Sequence, residues 1–157
     1  MQKIPITVVG LKRLEDERTK LKNIDRPNII KAISAARDLG DLSENAEYHA
    51  AREQQGFIEG RIEELEYILA KAEVINPTSI KSDKIIFGAT VSVQNLDTDK
   101  KTTYQIVGEP EANLEIGLIS YSSPIGKALI SKKVGDIVDV ATAKKTTSFE
   151  VLKIEYK

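Results

Sequence analysis

Cysteine is absent from this 157-residue chain, and histidine occurs once, at His49. Those two absences exclude a disulfide framework, a cysteine nucleophile, thiolate metal sites and any site that needs two imidazoles. Tryptophan is missing too, and aromatic residues make up only 5% of the chain. No apolar run approaches the ~20 residues of a membrane span. The opening MQKIPITVVG has neither the apolar core nor the small-residue cleavage site of a signal peptide. A soluble chain of the cytoplasm, making no use of a membrane, is therefore expected. Neither sign of charge dominates: 23 basic and 24 acidic side chains give a formal net charge of −1. A bulk nucleic-acid-binding surface is not expected, although a local basic stripe is compatible with that sum. The length allows one ordinary domain or two small ones, and burial of very roughly 70% of the unfolded surface needs no staple.

What is present falls into two periods. From Leu11 to Ile75 the chain is rich in Glu, Lys, Arg, Leu, Ile and Ala, all good helix formers apart from the β-branched Ile. Tyr48, Ala51, Gln55, Ile58, Ile62, Leu65, Leu69 and Ala72 alternate spacings of three and four, which is the seam of a coiled coil. Upstream, Leu11, Leu14 and Leu21 form one seam, and Ile29, Ala32, Ala36 and Leu39 continue a shifted one. Pro27 lies between them and predicts a break or kink, because it removes a donor and crowds the preceding turn. Gly40 is the expected left-handed residue ending the first helix. Asp41 or Ser43 is the expected cap of the second, which then runs over residues 43–73 for on the order of 45 Å. So short a connection predicts an antiparallel hairpin, a finger.

Beyond Pro77 the period becomes two. Residues 90–94, 102–107 and 148–154 alternate, Ile119 and residues 136–140 supply further strands, and Asp97-Thr98-Asp99-Lys100 is a hairpin tip. Residues 124–131 fit a short helix with Pro124 in its first turn. The expected class is α+β with two domains. An antiparallel coiled-coil hairpin spans residues 1–76, and a small antiparallel sheet with one short helix spans 78–157.

Asp41 and Glu44 stand three apart at a helix start, so their side chains share a face. One reading is a capping box; the other is a pair of hard oxygen ligands for a divalent ion. Two carboxylates are too few for Mg²⁺, which takes about six oxygens, unless another molecule provides the rest. At this point the residues reach a family. The run 40–55, GDLSENAEYHAAREQQ, resembles the tip signature of the GreA/GreB family of bacterial transcript-cleavage factors. The likeness extends over nearly the whole chain, through IPIT at 4–7, QQGFIEGRI at 54–62, IFGATV at 86–91 and SPIGKALI at 123–130. Ser131 is a departure, since the family pattern expects Gly there.

The resemblance implies a protein that acts on bacterial RNA polymerase that has slid backwards and extruded the 3′ end of its nascent RNA. It implies an FKBP-like C-terminal domain docked at the rim of the secondary channel and a finger reaching the active centre. Asp41 and Glu44 would then help hold a Mg²⁺ shared with the polymerase, making the chain an aid to catalysis and not an independent nuclease. Arg37 and Arg52 would touch the extruded RNA, Ser123, Pro124 and Ile125 would belong to the docking surface, and the factor would act as a monomer. By residue type alone Arg37 and Arg52 are equally compatible with solvated helix arginines. Tyr48 falls on the seam and is expected to pack. His49 is expected at the surface. Gly56 and Gly60 face away from the seam, each at a cost of roughly 1 kcal/mol of helix propensity. Residues 1–75 hold 12 basic and 14 acidic side chains, which fits the less basic GreA type within the family. The competing readings are a channel-plugging inhibitor without cleavage activity, which the intact acidic pair disfavours, and an isomerase or chaperone with a coiled-coil arm. The second has little support. Residues 78–157 offer only Phe87, Tyr104, Tyr121, Phe149 and Tyr156 to wall an aromatic pocket.

Overall fold

A computed structural model describes residues 2–41 and 44–157. The contacts divide the chain into two compact units. One is residues 11–72, and the other combines residues 1–10 with residues 73–157.

The first unit is a helical hairpin. Strand β1, Ile4–Thr7, runs directly into helix α1, Val8–Lys20. A π-helical turn follows at Leu21–Asp25, and then helix α2, Arg26–Arg37. Pro27 therefore produces a π turn and not a break. The Arg26 N–H donates to the Leu21 carbonyl five residues back, so one wide turn absorbs the place where proline offers no donor. Helix α3 spans Ala46–Lys71, roughly 39 Å at ~1.5 Å per residue. It starts three residues later than the sequence suggests.

Ile29, Ile33, Ala51, Ile58 and Ile62 form the hairpin core, with Leu21 and Tyr48 packed against it. The expected seam holds through Leu65 and is corrected at both ends. Ile68 is buried while Leu69 is only half-buried, and Ile33 is buried while Ala32 and Leu39 are exposed. At Ile33 over Ala32 the larger side chain takes the inward position, as apolar area dictates; Ile68 and Leu69 are equal in size, and there the helix phase decides. A carbon added at Gly56 or Gly60 would meet nothing within 4 Å, so no packing constraint inside the molecule requires glycine there.

Ion pairs cross between the helices of this unit. Arg61 forks onto Glu17 at 2.7 and 2.8 Å, Arg26 forks onto Glu59 at 2.8 and 2.7 Å, and Lys22 and Arg18 both reach Glu66. Hydrogen bonds from these cations, followed by charge attraction, hold the carboxyls of Glu17, Glu59 and Glu66 below their ordinary range. A depressed carboxyl stabilises the fold above its unfolded pKa and loses that contribution as pH falls through the folded one. The hairpin's melting temperature, followed by helical circular dichroism, is therefore expected to hold steady down to about pH 5 and to fall below about pH 4.5. A Glu17→Gln, Glu59→Gln variant should fall less steeply. Equal slopes in the two proteins would contradict the assignment.

In the second unit, β1 pairs with β2, Ala72–Ile75, in a two-stranded sheet. Five further strands make a second sheet: β3 (Thr90–Asn95), β4 (Lys101–Val107), β5 (Leu118–Ser120), β6 (Ile137–Ala141) and β7 (Thr146–Glu155). Their order is β5-β4-β3-β7-β6. The sheet is mixed, which corrects the all-antiparallel expectation: β5 runs parallel to β4. Two 3₁₀ turns, Glu109–Glu111 and Leu114–Ile116, carry the chain between those strands, and so long a link permits a parallel return. A bulge lies where Ser92 faces Lys153 but Val93 faces Val151, leaving Leu152 as the extra residue. Ile85, Ala89, Val91, Val93, Ile106, Ile119, Leu129, Val138 and Val151 fill the core. Helix α4, Pro124–Leu129, contributes Leu129 to it.

Ser131 has φ +75° and donates its N–H to the Ile85 carbonyl at 2.7 Å. A side chain in the left-handed region costs roughly 1–2 kcal/mol, and glycine's greater freedom in the unfolded chain returns part of that. Ser131→Gly is expected to stabilise this unit by about 0.5–1 kcal/mol, raising its melting temperature by a few degrees. A lowered melting temperature would show that the serine side chain makes a contact worth more than the strain.

Candidate functional site

The loop joining α2 to α3 is closed by local hydrogen bonds. The N–H groups of Asp38, Leu39 and Gly40 donate to the carbonyls of Ser34, Ala36 and Arg37, and Gly40 turns the chain at φ +128°. That positive φ is the left-handed ending expected of it. On the far side the helix cap belongs to Asn45, which corrects the expectation of Asp41; Ser43, the other expected cap, and Leu42 lie outside the described residues. The Asn45 Oδ1 accepts from the Tyr48 N–H at 3.0 Å, and its Nδ2 donates to the Ala36 carbonyl at 2.6 Å. One amide thus caps α3 and ties it to the end of α2. Asparagine ranks with aspartate and serine as a cap, so Asn45 carries the same signal as the expected Asp41 and Ser43, four and two residues upstream.

Asn45 is thus the N-cap of α3, and the two acids, Asp41 and Glu44, lie just before it in the chain. Both are exposed, and both line one open hollow of about 400 Å³ with Leu39, Asn45, Ala46 and Glu47. A third carboxylate, Glu47, on the first turn of α3, therefore shares the hollow. Among the described residues no three His, Asp or Glu side chains are grouped as a metal cage. The donor set is nonetheless of the right chemistry: exposed carboxylate oxygens are what Mg²⁺ takes, in a number that leaves the rest of the shell to another molecule.

Arg37 and Arg52 are brought together by the hairpin. They line one hollow of about 230 Å³ between α2 and α3, with Ile30, Ile33, Ser34 and Gln55. Arg18, Arg26 and Arg61 pair with carboxylates, whereas Arg37 and Arg52 make no ion pair among the described residues. The Arg37 guanidinium lies 5.8 Å over the Tyr48 ring, a cation–π contact. The Tyr48 ring in turn meets His49 edge-on at 5.4 Å. Tyr48 is half-buried against the hairpin core and His49 is exposed, as the seam position requires.

Ser123, Pro124 and Ile125 belong to the other unit. The Ser123 Oγ accepts from the Gly126 N–H at 3.1 Å and donates to the Ser120 carbonyl at 2.7 Å, so it caps α4. Pro124 is exposed, while Ile125 packs against the core. Of the three, Pro124 is the residue that offers surface.

The family model of the N-terminal region of transcription elongation factors matches residues 4–74, and that of the GreA/GreB transcription elongation factor C-terminal region matches residues 80–156. The chain belongs to the GreA/GreB family. The match embraces both units and every candidate residue named above. Transcription elongation factor GreA of Rhodospirillum rubrum is 57% identical over 156 residues, 99% of each chain. GreA of Ruegeria pomeroyi is 56% identical over 156 residues with the same coverage, and GreA of Pasteurella multocida is 52% identical over the full length of both chains. Among solved structures, GreA factor homolog 1 of Thermus thermophilus is 26% identical, covering 98% of this chain and 99% of that one at a TM-score of 0.45. With GreA relatives above 50% identity over the whole length, the function is that of a transcription elongation factor. No helix among the described residues is long and apolar enough to cross a membrane.

Proposed function

We propose that this GreA/GreB family member binds bacterial RNA polymerase, enters its secondary channel with the hairpin tip, and stimulates cleavage of the extruded 3′ transcript in backtracked complexes. The observation that carries the reading is the pair of exposed carboxylates, Asp41 and Glu44, lining one hollow beside the Asn45 that ties the start of α3 to the end of α2. Asp41 and Glu44 are the residues that would share a Mg²⁺ with the polymerase's own ligands, so the chain contributes to the reaction without being a nuclease. When bound, that ion supplies activation of water and neutralisation of charge on the scissile phosphate.

The remaining side chains have complementary tasks. Arg37 and Arg52 line one hollow and make no ion pair among the described residues, so they present guanidinium forks suited to RNA phosphates. Ile30 is 51% exposed beside them and adds an apolar wall to the same hollow. Pro124 and the Ser123-capped turn mark the docking surface at the channel rim, remote in sequence from the tip.

The test is a backtracked elongation complex with labelled RNA, given Mg²⁺ with and without the protein and resolved on a gel. The expected result is a shortened transcript together with release of its 3′ fragment, followed by resumed elongation. Inhibited elongation with intact RNA would instead identify a channel-plugging inhibitor.

A further inference from the structure

The five-stranded sheet ends differently at its two edges. At one, β5 is three residues long, and its open side is already in use, because Leu118 exchanges backbone hydrogen bonds with Asn113 at 2.8 and 3.0 Å. At the other, β6 runs for five residues and pairs with β7 alone. The Val151 N–H donates to the Asp136 carbonyl at 2.9 Å, which sets the phase of this antiparallel ladder. Val138, opposite Phe149, and Val140, opposite Thr147, therefore turn their backbone groups towards β7. Ile137, Asp139 and Ala141 turn theirs to the open side.

The usual protections of an edge are few here. The strand has no proline and no lysine, and Ile137 is 61% exposed. Its one charge is Asp139, whose Oδ1 accepts from the Ser148 hydroxyl at 2.6 Å and which makes no ion pair among the described residues. That carboxylate also decides what can pair. A second copy laid antiparallel on β6 in full register would set Asp139 directly against Asp139, a like-charge pair that opposes association. Sliding the copy by two residues avoids the clash but leaves only residues 137–139 or 139–141 overlapped, the lower limit of a strand. Lys132 and Lys133 precede β6, Lys144 and Lys145 follow it, and all four are exposed.

We propose that β6 is an interaction surface that takes an extended segment of a partner protein as a sixth, antiparallel strand. The segment places a lysine or arginine opposite Asp139, apolar side chains opposite Ile137 and Ala141, and acidic residues at its ends, near the lysines. Main-chain bonds supply the affinity and the alternate side chains choose the partner. This surface belongs to the sheet-containing unit and does not rest on the cleavage reading.

The probe is the capped peptide Glu-Glu-Val-Thr-Lys-Thr-Val-Glu-Glu, titrated into the full chain while amide hydrogen exchange is followed residue by residue. At saturation, exchange of the Ile137, Asp139 and Ala141 amides is expected to slow on the order of tenfold or more. N-methylation of the peptide's lysine and both valines, whose N–H groups would face β6, should weaken binding more than about tenfold, as for three lost hydrogen bonds. N-methylation of both threonines, whose N–H groups would face away, should leave it within about twofold. Asp139→Lys should weaken the peptide about fivefold and favour a counterpart with glutamate in place of the central lysine. Absence of binding, equal loss from both methylated peptides, protection at other strands instead, or an unchanged preference in Asp139→Lys overturns the proposal. Protection of the same amides that rises with the chain's own concentration, without peptide, would assign the edge to a second copy and overturn it as well.

Discussion

Asp41→Ala and Glu44→Ala are each expected to abolish stimulated transcript cleavage while leaving polymerase binding within about twofold, because an ion held through two carboxylates contributes little to affinity. The structure makes the expectation sharper than the sequence could. Had either residue capped α3, its loss would have cost about 1 kcal/mol of helix stability and clouded the result. Asn45 performs that task, and both carboxylates are exposed, so truncating either removes oxygen donors with little effect on the hairpin core of Ile29, Ile33, Ala51, Ile58 and Ile62. The proposed docking turn at Ser123 and Pro124 belongs to the other unit and is untouched. Cleavage gels paired with competition for polymerase separate the two effects. Parental cleavage by either variant would remove the metal-ligand role from that residue.

Gly10→Ala is expected to destabilise the sheet-containing unit by roughly 3–5 kcal/mol, combining overpacking of about 1–3 kcal/mol with the loss of acceptors for buried donors. The added carbon would lie 2.0, 2.2 and 2.4 Å from Oε1, Cδ and Cγ of Glu111. Moving the carboxylate aside is not a small adjustment, since the overlap reaches back to Cγ and the Thr7 and Gly108 N–H groups would lose their acceptor. Thermal unfolding should show a fall of about 10 °C or more for a unit of this size. Adding Glu111→Ala should make Gly10→Ala nearly silent, because the colliding atoms are gone. A Gly10→Ala protein melting within a few degrees of the parent would show that the hydrogen bonds of Thr7 and Gly108 to Glu111 yield.

The parts of this structure legible in the sequence are those written in local periods. The three-four spacing from Tyr48 to Leu65 and the alternation over residues 90–94, 102–107 and 148–154 gave helix α3 and strands β3, β4 and β7 close to their ends. Pro27 marked its place correctly, but a proline signals only a missing donor; whether a break or a π turn absorbs it depends on the packing of both flanking helices. The choice of Ile33 over Ala32 goes to the side chain that fills more space against the partner helix, whereas Ile68 over Leu69, two isomers of equal size, follows the phase of the helix. Glu111 was invisible. Its partner Thr7 lies 104 positions earlier, and no pattern of short period records such a contact. The same holds for residues 1–10, which group with the sheet-containing unit though they precede the hairpin in the chain. At the tip, the acidic pair stood out by residue type, while Arg37 and Arg52 became a pair only once α2 and α3 were antiparallel.

The central claim is that Asp41 and Glu44 complete a Mg²⁺ shell that neither they nor the polymerase fills alone. Two exposed carboxylates leave most of the shell to water, and Mg²⁺ gives up water reluctantly, so affinity in the free chain should be millimolar or weaker as an order of magnitude. In the proposed complex, further carboxylates and phosphate oxygens would join the same two side chains, and the Mg²⁺ concentration needed for cleavage should fall. Glu44→Gln keeps the shape of the side chain and removes its charge, so it isolates the electrostatic contribution from any steric one. The deciding measurement is a Mg²⁺ titration of cleavage rate in backtracked complexes with no factor, with the parent chain and with Glu44→Gln. The account expects the parent curve to lie at clearly lower Mg²⁺ than the factor-free curve, with Glu44→Gln displaced back towards it. Superimposable curves for the parent and Glu44→Gln would contradict the shared ion and leave positioning of RNA as the hairpin's whole contribution.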